Sequence, residues 1–244
     1  MIYSSKQNAL IKKIASLKDK KYRKEYGLYV SEGIKPVNDA IKFGMPIEYI
    51  VVTSTVIDKI LPSNSQIIEV TDDVFSFISD EKTPQGALCV IKIPNVDKIA
   101  RPKSNAVIIE GVQDPGNMGT IIRSALAFGF TDLYLVNCVD CYSPKVVRSS
   151  MSSIYNVNLY KGSLDQVLAV LNGYEIIACD MDGKDLKSFT PSKNYAICVG
   201  NEGNGLSSEL LSKSNSVVAI KMNEFSESLN VSVALSIVMY ELSK

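Results

Sequence analysis

Five short apolar runs of strand length, at residues 106–110, 133–136, 174–179, 195–199 and 217–220, are separated by stretches whose apolar residues fall at helical spacing. Helices are expected from the turn near Gly119 to about 128, at 144–152, 164–171 and 206–211, and a last one at 229–242. A strand followed by a helix and another strand does not close a hairpin. The arrangement open to such a chain is a parallel sheet with helices on both faces. Ligands bind such sheets at the carboxyl ends of the strands. Three loops fall there: Gly111-Val-Gln-Asp-Pro-Gly-Asn-Met-Gly119 after the first run, Gly200-Asn-Glu-Gly-Asn-Gly205 after the fourth, and the stretch reaching Ser228-Leu229-Asn230 after the fifth.

The first half alternates on a smaller scale. Residues 7–17 put Leu10, Ile11, Ile14 and Leu17 on one helical face, and a basic link follows at 18–24. Strands are expected at 28–30, 47–52, 66–70 and 87–93, with helices at 35–43, near 55–61 and after Thr71. Residues 94–105 hold two prolines, mixed charge and no period, which reads as a linker. The division expected is an N-terminal α/β domain over 1–97, a linker over 98–105 and a second α/β domain over 106–244.

Lysine plus arginine equal aspartate plus glutamate at 26 each, so net charge alone names no partner. Its distribution does: the first 35 residues carry nine basic side chains against three acidic ones. Lys12, Lys13, Lys20, Lys21, Arg23 and Lys24 are interleaved with Tyr22 and Tyr26, a mixture suited to phosphate contact and base stacking, although a solvated helix face has the same composition. With no histidine in the chain, Ser-His-Asp, Cys-His and histidine-ligated metal chemistry are excluded. The single Cys138-Val-Asp-Cys141 pair has no second pair to complete a zinc site, so no metal is expected. Without an apolar leader or a run of membrane-spanning length, a cytoplasmic protein with reduced thiols is expected.

The glycine loop at 200–205 is spaced GxxGxG after a late strand, so it is neither a dinucleotide fingerprint nor a P-loop. Gly119 and Arg123, four apart, share a helix face and suggest open space one turn from a guanidinium. Taken singly, Asn117 reads equally as a helix start, Arg123 as a surface charge, and Ser228 with Asn230 as the cap of the last helix. The apolar last helix at 229–242 is too short to span a bilayer and is expected to bury itself in this core or against a second subunit.

Taken in order, three groups of residues closely resemble the signature motifs of the SpoU (TrmH-like) RNA ribose methyltransferases. They are Asp114-Pro-Gly-Asn-Met-Gly119 with Arg123 and Ala127-Phe-Gly129, then Gly200-Asn-Glu-Gly203 with Gly205-Leu206, then Ile220-Lys-Met222 with Ser228-Leu-Asn-Val-Ser232. Ser143-Pro-Lys-Val-Val-Arg148 is similar to the segment between the first two motifs, and residues 5–33 to the family's N-terminal RNA-binding module. The resemblance implies an α/β fold: a C-terminal parallel-sheet methyltransferase domain tied in a trefoil knot, with a smaller N-terminal α/β RNA-binding domain. It also implies a homodimer, S-adenosylmethionine as cofactor and a ribose 2′-hydroxyl in RNA as acceptor, with ribosomal RNA favoured. A transfer-RNA enzyme, a relative that binds RNA but has lost catalysis, and a small-molecule enzyme are the alternatives. By position, Gly200, Asn201, Ile220, Met222 and Leu229 would contact the cofactor, and Asn117, Arg123, Glu202, Ser228 and Asn230 would form the polar catalytic group. Three positions depart from the family pattern: Lys221 stands in place of proline, and Glu224 and Ser152 in place of glycine. Glu224 would bring negative charge to the cofactor loop unless Lys221 pairs with it.

Overall fold

The computed structural model describes residues 2–243. The chain forms two compact units, one holding the residues up to Pro94 together with Asp140–Tyr155, the other Asn95–Val139 and the residues from Asn156 on.

The first unit is built from β1 (Ile2–Tyr3), α1 (Ala9–Ser16), α2 (Lys20–Tyr26), β2 (Leu28–Glu32), α3 (Ile34–Lys42), β3 (Ile47–Thr53), β4 (Gln66–Val70), α4 (Asp72–Ile78) and β5 (Ala87–Lys92). Its sheet runs β1-β4-β3-β5-β2, with β4 parallel to β1 and β3, and β5 antiparallel to β3 and β2. Asn8 starts α1 by accepting from the Leu10 and Ile11 amides, which turns Ile11, Ile14 and Leu17 into a core shared with Val74, Phe75 and Ile78. The basic link at 18–24 is largely helical. Asp19 caps α2 through the Lys21 amide, and Gly27 ends it in the left-handed conformation at φ 63°. Seven residues rich in lysine present no apolar stripe, so the helix leaves no periodic trace in the sequence.

The second unit begins with β6 (Ala106–Glu110), α5 (Pro115–Ala127) and β7 (Asp132–Val136). The chain then forms α6 (Pro144–Ser149), which lies in the first unit, before returning through β8 (Asn158–Lys161), α7 (Leu164–Val170), β9 (Glu175–Asp185), β10 (Tyr195–Val199), α8 (Ser208–Lys213), β11 (Ser216–Ala219) and α9 (Val231–Leu242). All strands of the sheet β11-β9-β10-β6-β7-β8 are parallel, as the alternation requires. Edge strand β8 buries only Leu159, so it shows no apolar run. Between β9 and β11 the register jumps from Ala178↔Val217 to Lys184↔Val218, and residues 179–183 bulge out. A Cβ on Gly183 would lie 2.5 Å from the Val218 carbonyl carbon, so only glycine fits there. Among the described residues no helix is long and apolar enough to cross a membrane.

Two stretches behave differently from their sequence reading. Residues 95–105 have no regular structure, but they are packed along the second unit. Ile99 joins its core, the Ala100 carbonyl accepts from the Tyr134 hydroxyl at 2.7 Å, and Arg101 lies over the Tyr174 ring at 5.3 Å. A boundary drawn in sequence order keeps 106–244 together, whereas the contacts of Asp140–Tyr155 lie with the first unit. Tyr142 packs on Tyr29 with ring centroids 4.8 Å apart, the Tyr155 hydroxyl donates to Ser31 Oγ at 2.6 Å, and Arg148 pairs with Glu81 at 2.6 Å. Met151 and Ser152 follow α6 in the left-handed region at φ 50° and 67°, so the serine occupies a conformation that favours the family's glycine.

Candidate active site

The sheet is parallel, so β6, β10 and β11 deliver their following loops to one edge. β10 and β6 are neighbours in register, Val199 beside Ile109, and the chain leaves them in opposite directions across the sheet. A crevice for a ligand forms at such a reversal.

The loop after β10 is shaped by its own sequence. Asn201 and Gly205 exchange backbone hydrogen bonds, 2.9 and 3.0 Å, so the chain doubles back on Gly200. A Cβ there would sit 2.1 Å from the Gly205 carbonyl carbon, which makes Gly200 a steric requirement. The Asn201 side chain is fully engaged in holding the turn. Its Nδ2 donates to the Gly111 carbonyl at 2.9 Å and to Glu202 at 3.3 Å, and its Oδ1 accepts from the Gly203 and Asn204 amides. The Asn201 side chain thus builds the loop, with its hydrogen-bonding groups taken up inside it. Beyond the turn, Glu110 anchors the start of α8 by accepting from the Ser207 amide and hydroxyl, both at 2.8 Å.

The loop after β6 becomes a helix at once. Asp114 accepts from the Asn117 amide at 2.9 Å, with Pro115 in the first turn, so the Asp-Pro pair fixes where α5 begins. This sets Asn117 against Glu202, whose carboxylate accepts from Asn117 Nδ2 at 3.0 Å, from the Asp114 amide at 3.3 Å and from the Gln113 amide at 3.5 Å. An ionised carboxylate can only accept, so the amide nitrogen of Asn117 must face it and the amide oxygen must face away. That oxygen accepts from Asn230 Nδ2 at 2.9 Å, while Asn230 Oδ1 caps α9 through the Ser232 and Val233 amides. One side chain thus caps α9 and holds Asn117.

Burial pulls the Glu202 carboxyl upward, but the bonds from Asn117 and from the Asp114 and Gln113 amides outweigh it and hold the group below its ordinary value of 4.5. Near neutral pH it is a charged anchor and a poor proton acceptor. Gln113 and Asp114 are not among the expected site residues, although Asp114 opens the first motif; their part here is played by main-chain amides, and only the helix-start signature of Asp114-Pro115 hints at it.

Two expected members stand apart from this cluster. Arg123 lies six positions beyond Asn117, about 120° round the helix, exposed and without a polar partner among the described residues. Gly119 is buried, so it opens no space beside that guanidinium. Ser228 is likewise exposed with no hydrogen bond among the described residues. The segment 220–230 forms one short turn, in which Asn223 accepts from the Phe225 and Ser226 amides. Around it, the main-chain groups of Ile220, Met222 and Leu229 have no hydrogen-bond partner among the described residues, and the side chains of Ile220 and Met222 are half-buried. Unpaired main-chain donors and acceptors beside apolar side chains suit an adenine ring and a methionine-like chain. Lys221 and Glu224 are both exposed and make no ion pair with each other. Of the lysine-rich group, Lys12, Lys20, Lys21 and Lys24 are exposed and Lys13 is half-buried. Arg23 is corrected from an RNA contact to an interior residue. It is 4% exposed, donates to the Leu17 and Lys18 carbonyls at 2.7 Å, and pairs with Asp140 at 2.7 Å.

Helix α9 buries Leu235, Val238, Met239 and Leu242 and meets α5, where the Ser236 hydroxyl donates to Ser124 Oγ at 2.8 Å and the Phe128 and Tyr240 rings pack 5.8 Å apart. Its other side leaves Val233, Ile237 and Tyr240 exposed one turn apart, so the apolar helix divides between core and surface. β11 lies at the edge of the sheet beyond β9, yet α9 packs on β10 and α5, so 220–230 leads back across the carboxyl edge. A cavity of about 520 Å³ beside Asn105, Phe130, Phe189 and Tyr195 opens at the amino-terminal edge of the sheet, away from the site.

Residues 104–240 match the model of the SpoU rRNA Methylase family, and residues 8–89 match the MRM3-like substrate binding domain. The chain is 30% identical, over 98% of its length and 97% of the relative's, to the 23S rRNA (guanosine(2553)-2′-O)-methyltransferase RlmP of Bacillus subtilis. It is 30% identical over 68% of its length, and 74% of the relative's, to a tRNA (guanosine(18)-2′-O)-methyltransferase of Borreliella burgdorferi. The crystal structure of an AdoMet-bound rRNA methyltransferase from Sinorhizobium meliloti superposes with a TM-score of 0.88 at 26% identity, covering 99% of this chain and 96% of that one.

Proposed function

The chain belongs to the SpoU rRNA methylase family and is an S-adenosylmethionine-dependent RNA ribose 2′-O-methyltransferase, and we propose that its substrate is ribosomal RNA and that it works as a homodimer. The observation that carries the mechanism is the chain of bonds Asn230–Asn117–Glu202, which joins the three motifs into one site. Ribosomal RNA is favoured because the relative matched along almost its whole length methylates 23S rRNA, whereas the tRNA relative matches over about two thirds of this chain.

Bound S-adenosylmethionine supplies a methyl carbon on a sulfonium, open to in-line attack by the ribose 2′-oxygen. Gly200, Ile220, Met222 and Leu229 would hold it, chiefly through main-chain groups. The ribose hydroxyl is a very weak acid, so alignment carries much of the rate and the oxygen needs positive charge as its proton leaves. The planar guanidinium of Arg123 offers only N–H donors, so it is assigned to stabilising the developing alkoxide, with the hydroxyl proton passing to water or an RNA phosphate. Glu202 and Asn117 hold the loops in place.

The homodimer is supported by the outer side of α9. Exposed Val233, Ile237 and Tyr240 form an apolar stripe on α9, the helix packed beside α5, and a second copy would cover it. We read the return of 220–230 across the sheet edge as the place of the trefoil knot. Reduced thiols and an RNA substrate fit a cytoplasmic enzyme.

Calorimetric titration with S-adenosylmethionine tests the reading. Binding is expected, and its absence would favour an RNA-binding relative disabled at Glu224. Arg123→Lys is expected to lower single-turnover methylation while cofactor affinity stays; near-normal turnover would remove any special role for the guanidinium.

A further inference from the structure

Helix α2 carries an aromatic pair that no catalytic role absorbs. Tyr22 and Tyr26 lie one turn apart with ring centroids 6.0 Å apart and planes 19° from parallel. Lys13 Nζ sits 5.1 Å from the Tyr26 ring centre and Lys21 Nζ 5.4 Å from that of Tyr22. Tyr26 is exposed, Tyr22 half-buried, and neither hydroxyl has a hydrogen-bond partner among the described residues. Lys12, Lys20 and Lys24 are exposed on the same two helices. Between the two tyrosines in sequence, Arg23 points inward, and its bonds to Leu17, Lys18 and Asp140 clamp the corner between α1 and α2. The ring pair is thus held on a fixed helix rather than on a mobile loop, which lowers the ordering cost of any ligand that stacks on it.

We propose that this ledge binds unpaired nucleotides of the RNA substrate, whose bases stack on the Tyr22 and Tyr26 rings while Lys13 and Lys21 move from the ring faces to the neighbouring phosphates. The proposal rests on the RNA-methyltransferase reading and names the kind of RNA the first unit selects. Bases in an A-form duplex are stacked on one another and offer no free face, whereas bases in loops and single strands do. The cation–π contacts keep lysine charge beside the rings before RNA arrives, so stacking and phosphate neutralisation are available at one place.

The test uses the full-length protein with a mixed-sequence single-stranded oligoribonucleotide carrying 2-aminopurine, and with the duplex of the same sequence. Wild type and Tyr22→Phe/Tyr26→Phe are expected to quench 2-aminopurine in the single strand and to prefer it over the duplex. Tyr22→Leu/Tyr26→Leu is expected to lose about tenfold or more in single-strand affinity, as for loss of base–aromatic stacking, with duplex affinity and salt slope unchanged. The proposal is overturned if the leucine variant keeps single-strand affinity or loses both affinities equally. An unquenched wild-type signal overturns it too, without reliance on any variant. Lys20→Ala/Lys21→Ala/Lys24→Ala should flatten the salt dependence. If it does not, the first unit is not the RNA contact, a failure separable from that of the ledge alone.

Discussion

Replacing Glu202 by glutamine removes charge from the side chain that accepts from the Asn117 amide nitrogen. The carboxylate takes four donors, of which only Asn117 Nδ2 is near at 3.0 Å, the others lying at 3.3, 3.3 and 3.5 Å. Two carboxylate oxygens offer about four acceptor sites; a glutamine oxygen offers about two, and its N–H₂ faces the remaining donors. Because the group is largely exposed, water compensates part of the loss, leaving about 1–2 kcal/mol. At about 1.4 kcal/mol per tenfold, the equilibrium constant for the assembled loop falls about tenfold. Misalignment of the ribose oxygen adds to that, so the single-turnover rate is expected to drop about ten- to a hundredfold. The assay is single-turnover transfer of a tritiated methyl group at saturating RNA and cofactor, with thermal melting as a control for folding. Combined with Asn117→Ala, the losses should be strongly non-additive, since both variants break one chain of bonds. A wild-type rate for Glu202→Gln, or additive losses, would refute the positioning role.

Because the folded carboxyl of Glu202 lies below its ordinary 4.5, its contribution is present above that value and is lost as pH falls through the lower folded one. The rate profile should therefore show no inflection assignable to Glu202 between about pH 6 and 9. An inflection there that disappears in Glu202→Gln would identify a general base instead. Arg23→Ala should cost about 3 kcal/mol of stability in denaturant unfolding, because it strands Asp140 and two backbone carbonyls. A loss below about 1 kcal/mol would mean the pair is as weak as a surface one. Met151→Gly should raise stability by about 1 kcal/mol, read as a higher melting temperature, since Met151 is exposed and held at φ 50°. No rise would show that its left-handed conformation carries little strain.

The sequence made the parallel sheet legible because each buried strand is a continuous apolar run and each turn after it carries glycine or a helix cap. What it hid was short or edge-placed. α2 lacks an apolar stripe, and β8 buries one leucine. The packing of Asp140–Tyr155 with the first unit depends on Tyr29, Ser31 and Arg23, partners more than a hundred residues away that no local pattern predicts. In the site, Asn117, Glu202 and Asn230 meet as their motifs imply, whereas Asn201 and Arg23 are spent on holding their own surroundings. Residue type was visible in both cases, but direction was not: a polar side chain near a ligand edge is as useful to the loop as to the ligand, and only its hydrogen-bond partners tell which.

Transfer of a tritiated methyl group from S-adenosylmethionine to unmodified ribosomal RNA, followed by mapping of the labelled nucleotide, tests the central claim most directly. One labelled nucleotide is expected, carrying the methyl on its ribose 2′-oxygen and making the adjacent phosphodiester resistant to alkali. Label on a base, label only in transfer RNA, or no incorporation by a protein that binds both ligands would contradict it.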